Sequence, residues 1–179
     1  DGELFVSGDA YSLKQVSLLF PGAKVWELEG SVVEGGDAKG FPALTELTFN
    51  AEATPDVWRA LGIDVARSPK LTLVTLPCDI GTPALCAFIC GLGEGGEHRD
   101  RLTVDVSHAV VDAPEVIRTL KETLVSIRIA GSDDRWASIE DQCQQNCNLV
   151  TGRLAELVAT WTACKSSNAS CHRILGDII

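Results

Sequence analysis

The chain contains no methionine, not even at its first position. Such a sequence is expected to be a processed product, a fragment, or the ordered part of something longer. A long apolar run is also missing. The best one, "ALCAFICGLG", is about half the roughly 20 residues that a membrane-crossing helix needs, so direct membrane insertion is not expected. The chain opens "DGELFVSGD", without the basic and apolar regions of a signal peptide. Cations are scarce: 15 Lys and Arg stand against 25 Asp and Glu, for a formal charge of -10. That balance argues against a nucleic-acid partner and against an anionic membrane surface. It leaves room for a basic protein partner. The C-x-x-C spacings of a structural zinc site are absent as well, and no metal or cofactor is expected.

What is present suits a folded domain. Of the 179 residues, 45% are apolar, enough for a real core and too many for general disorder. Seven cysteines leave one unpaired in any complete set of disulfides. Cys86 and Cys90 fit as small buried apolar side chains. Cys164 and Cys171 flank "KSSNAS", a loop that could close as a disulfide. The triplet at Asn168 would matter for glycosylation only in a secreted chain. The compartment stays open, with an intracellular one slightly favoured.

Strand-like runs recur along the chain: "ELFVSG", "KVWELEGS", "ALTELTFNA", "KLTLVTLPC", "RLTVDVSHA" and "LVSIRIAGS". Between most of them lie short helical stretches. "DAYSLKQVSLLFPGA" has apolar residues at helical spacing and a Pro-Gly stop. "TPDVWRALG", "GTPALCAFICGLG" and "DAPEVIRTLKETL" share one grammar, a capping residue, a proline in the first turn, and then an apolar stripe. Gly62 and Gly91 read as helix stops. "GSVVEGGDAKGF" reads as a glycine-rich loop. After residue 131 the strand signal ends, and Trp136, Ile139, Cys143, Cys147, Val150, Leu154, Leu157 and Trp161 fall at three- and four-residue steps. That is one long helix, or two broken near Gly152.

Strands joined by single helices are normally parallel. A sheet covered on both faces would have nearly continuous apolar strands. Here apolar and polar residues alternate: Leu47 and Phe49 against Glu46 and Thr48, Val104 against Thr103 and Asp105, Ile129 against Arg128. One face therefore meets solvent. "LTELTF", "LTLVTL" and "SIRI" resemble the strand segment of leucine-rich repeats, of the ribonuclease-inhibitor-like type that also occurs in F-box substrate receptors. The resemblance implies an α/β solenoid over residues 1–131, with a curved parallel sheet and helices on one side. Residues 132–179 would form a helical C-terminal cap. An ordinary α/β sheet is the alternative.

Three histidines, His98, His108 and His172, give no catalytic constellation. Cys78 and His108 could sit on adjacent strand exits, but nothing marks an oxyanion hole or an activated thiol. "GLGEGGE" lacks the Lys-Ser/Thr of a phosphate loop and reads as a flexible loop. The chain is therefore expected not to be an enzyme. The residues expected on the open strand face are Glu27, Glu29, Glu46, Thr48, Leu73, Thr75, Thr103, Asp105, Ser126 and Arg128. They would form a docking surface for a protein partner, in a hetero-complex, since repeat solenoids bind on extended faces. Two alternatives remain at this point: an accessory structural subunit held by its helical tail, and a fragment of an F-box-type substrate receptor.

Overall fold

The computed structural model describes residues 2–96, 102–106, 109–130 and 134–166. Six strands form a single parallel sheet whose order is the order of the chain. They are β1 (Glu3–Ser12), β2 (Val25–Glu34), β3 (Glu46–Ala53), β4 (Leu73–Thr75), β5 (Thr103–Asp105) and β6 (Arg128–Ala130). Five helices accompany them: α1 (Leu13–Leu19), α2 (Pro55–Ala66), α3 (Thr82–Gly95), α4 (Ala113–Thr123) and α5 (Asp134–Ser166). The α/β class and the parallel sheet are as the sequence leads one to expect. The sheet is open, not closed into a barrel.

The alternating sequence produces the expected burial. Trp26, Leu47, Val74, Val104 and Ile129 form one cross-strand row, and all five are buried. Leu28 and Phe49 form a second buried row. The α2 side chains pack on this face: the Trp58 ring lies 4.7 Å from Phe49 and 6.5 Å from Phe88 of α3. Large side chains buried this completely contribute about 1.5–3 kcal/mol each.

Two expectations about the helices are corrected. Gly62 and Gly91 do not stop α2 and α3; both lie inside them. A Cβ on Gly91 would come 2.0 Å from the Arg59 carbonyl oxygen, and one on Gly62 would come 2.2 Å from that of Phe88. These glycines let the two helix backbones touch. Arg59 then bridges the pair, its Nε donating to both carboxylate oxygens of Glu94 at 2.9 and 3.0 Å. The "GLGEG" part of the expected loop is thus the end of α3, closed by Gly96 at φ 79°. The starts of α2 and α4 follow the expected grammar in position, without a side-chain capping hydrogen bond. In α3, Gly81 takes the N-cap position expected for Thr82, whose Oγ1 accepts instead from the Asp112 N–H at 2.8 Å. Thr54 and Asp112 hold the N-cap positions, and Pro55, Pro83 and Pro114 sit in first turns, where a missing N–H costs nothing.

The first two strands run longer than expected. β2 continues through "SVVE", which pairs with an extension of β1 at Tyr11 and Ser12. α1 shrinks to seven residues as a result. The chain that follows β2 is pinned to the end of α2. Asp64 Oδ1 accepts from the Gly40 N–H at 3.1 Å. Ser68 Oγ donates to the Asp64 carbonyl at 2.6 Å and accepts from the Phe41 N–H at 2.8 Å. Burial raises the Asp64 carboxyl above its ordinary pKa, against the opposing effect of the Gly40 N–H.

α5 is one unbroken helix through Gly152. Trp136, Ile139 and Cys143 enter the same core as the strands. Asn146 is fully buried one turn later. Its Nδ2 donates to the Leu120 carbonyl at 2.9 Å and the Val125 carbonyl at 2.7 Å, and its Oδ1 accepts from Gln142 Nε2 at 3.0 Å. α4 ends on Leu124, a non-glycine residue at φ 55°. Asn146 therefore adds a second donor to the Leu120 carbonyl, which also accepts from the Leu124 N–H at 2.9 Å, and through Val125 it clamps α5 to the segment before β6.

Candidate functional site

The open face is built by register. One row across the sheet reads Val25, Glu46, Leu73, Thr103 and Arg128. The next row on the same face reads Phe5, Glu27, Thr48, Thr75, Asp105 and Ala130. A third, shorter row sets Ser7, Glu29 and Asn50 side by side. The alternation of a strand sends these side chains away from the core rows. Glu27, Glu46 and Arg128 are exposed, while Glu29, Thr48, Leu73, Thr75, Thr103 and Asp105 are half-buried. The structure thus brings nine of the ten expected residues together on one face.

Ser126 departs from the expectation. It precedes β6, in a turn where Val125, Ser126 and Ile127 are all buried, and it is only 6% exposed. Period-two alternation holds only where the backbone is a regular strand, and here it is not. The expected disulfide between Cys164 and Cys171 lies outside the described residues, as do His98, His108, His172 and Asn168.

Charge is unevenly spread over the face. Glu3, Glu27, Glu29 and Glu46 crowd the β1–β3 half, and Arg128 stands at the β6 end. Among the described residues, no ion pair engages Glu27, Glu29 or Glu46. Glu29 helps burial push the Tyr11 hydroxyl up to about 12.

A cleft of about 630 Å³ opens at the C-terminal ends of β1, β2 and β3, with acidic residues Asp9, Glu52 and Asp79 in its wall beside Ser31 and Asn50. Ligands of open parallel sheets commonly bind outside these strand ends. Sequence reasoning missed this cleft. Asn50 and Glu52 continue the polar side of the β3 alternation, which was the available signal.

Cys78 is exposed, whereas three other thiols do not suit nucleophilic chemistry. Burial pushes the Cys143 thiol up to about 11, and it raises Cys86 and Cys90 as well. A protonated, shielded thiol is a poor nucleophile. Among the described residues, no cluster of His, Cys, Asp and Glu could hold a metal ion. Nor is any described helix long and apolar enough to cross a membrane. The chain matches no protein-family model, no curated protein and no solved structure.

Proposed function

We propose that the protein is a non-enzymatic docking module that receives a basic segment of a protein partner across the open face of its sheet. One observation carries this reading. The register gathers Glu27, Glu29 and Glu46 on adjacent positions of one face, and among the described residues no ion pair engages any of the three. A field of one sign over a flat, hydrogen-bonded scaffold attracts the opposite sign and suits an extended ligand. The frame inferred for it is a short curved solenoid similar to leucine-rich repeats, with its helices on one side and α5 as its cap. The chain-order parallel sheet is compatible with that frame.

A panel of lysine-rich and glutamate-rich peptides, read by fluorescence anisotropy at low and physiological salt, tests the reading. Lysine-rich peptides are expected to bind, more weakly as salt rises. The combined Glu27→Lys, Glu29→Lys, Glu46→Lys protein is expected to lose that binding with its circular dichroism unchanged. Equal binding by the reversed protein would count against the open face.

A second reading rests on the far half of α5. Residues 151–162 are all exposed, and Leu154, Leu157, Val158 and Trp161 fall on one stripe of that helix. This stripe supports an accessory subunit whose tail enters an apolar groove of a larger complex. Ending the chain after Val150 should release the subunit without loss of thermal stability. Retention in the complex after that truncation would dismiss the tail.

A further inference from the structure

The β1 edge of the sheet is unfinished. Leu4 and Val6 belong to the rows that are buried in β2 and β3, yet both remain half-buried. Phe5, on the opposite face, is 59% exposed. α1, which packs on β1, leaves Leu18, Leu19 and Phe20 exposed beside it. Among the described residues, β1 pairs only with β2. Gly2 turns its carbonyl inward to the Lys24 N–H at 3.1 Å. Strand alternation then points the N–H and C=O groups of Glu3, Phe5 and Ser7 outward. Such an edge is a template for another strand over its regular part, Glu3–Gly8, which carries no lysine, no proline and one charged residue, Glu3; the register shifts begin only after Gly8.

We propose that this edge is a self-association site. Two copies join β1 to β1 in antiparallel fashion about a two-fold axis at Phe5, perpendicular to the sheet. The β1 sequence selects this register. It sets Phe5 against Phe5 of the partner subunit, Leu4 against Val6 of the partner subunit, and Glu3 against Ser7 of the partner subunit. Aromatic meets aromatic, aliphatic meets aliphatic, and no carboxylate opposes another within the regular run Glu3–Ser7, a demanding condition for a chain of formal charge -10. Centring one residue later, on Val6, would oppose Leu4 to Gly8 of the partner subunit and Phe5 to Ser7 of the partner subunit. That register discards both apolar matches. A two-fold axis of this kind makes the contact closed and self-complementary, so the assembly stops at a dimer. Both open faces then lie on the same side of a twelve-stranded sheet, twice the six strands of one chain.

Sedimentation equilibrium over a wide concentration range is the test. The protein is expected to associate to a dimer. Phe5→Lys, which places like charges opposite each other at the axis, is expected to leave a folded monomer. Phe5→Cys is expected to give an interchain disulfide between the two introduced thiols under mild oxidation. Hydrogen-bonded antiparallel pairs stand at about 5.5 Å between Cα atoms, within disulfide reach. Peptide mapping separates this bond from the native thiols. Mixed Glu3→Cys and Ser7→Cys proteins are expected to cross-link to each other. A monomer at every concentration would overturn the proposal, meaning that the edge serves another chain or none. So would a dimer that survives Phe5→Lys and fails to cross-link at the axis. Peptide binding on the open face involves different residues, so either reading can fail without the other.

Discussion

At the β6 end the sheet runs under α5, and Ile129 is 5% exposed; at the β1 end the same row stops at a half-buried Leu4 with nothing described beyond it. The short strands lie at the covered end. β4, β5 and β6 have three residues each, while β1 and β2 have ten. A three-residue ladder offers few hydrogen bonds, so its order depends on side chains packed from outside. Trp136, Ile139 and Cys143 provide that packing, and Asn146 fixes it in position. A ten-residue strand has a long ladder, joined at β1 by the core contacts of Leu4 and Val6 and by α1, and so it can present a bare edge. The cover at one end and the opening at the other are therefore two consequences of strand length.

Substitutions can unbalance this contrast. Trp136→Ala is expected to have the largest effect, about 3–5 kcal/mol by chemical denaturation, because it empties a large fully enclosed site under β6. A loss below about 1 kcal/mol would mean that α5 does not support that end. Asn146→Ala comes next, at about 2 kcal/mol, since it removes the side-chain donor of the Val125 carbonyl in the interior, while the Leu120 carbonyl keeps the Leu124 N–H. Asn146→Asp offers no amide donor and should not recover the loss. Leu4→Ala, at the open end, is expected to cost only about 1 kcal/mol, because half of that side chain already meets solvent. A cost equal to that of Trp136→Ala would show that the β1 edge is covered after all.

The sequence carried the regular parts of this architecture. Leu28, Leu47 and Val104 each lie between polar neighbours, so their inward direction follows from the two-residue period, and with it the outward placement of Glu27, Glu46 and Asp105. By contrast, "LTLVTL" has an apolar residue on both sides of its strand and takes its direction from the neighbours it pairs with. Local rules failed where a distant partner decides the outcome. "SVVE" is flanked by glycine and reads as loop, but pairing with Tyr11 and Ser12 makes it strand. Gly62 and Gly91 read as helix stops until the two helices are placed together. Asn146 resembles any polar helix residue, because its two acceptors lie 26 and 21 positions away in the chain. Ser126 was placed on the open face by extending a period into a turn that does not keep it.

Hydrogen exchange on dilute protein, resolved by peptide, compares the two ends most directly. Segments 125–130 and 136–146 are expected to exchange only through global unfolding, whereas segment 3–8 exchanges through local opening and gains protection as concentration rises. Equal protection of both ends at every dilution would contradict the account.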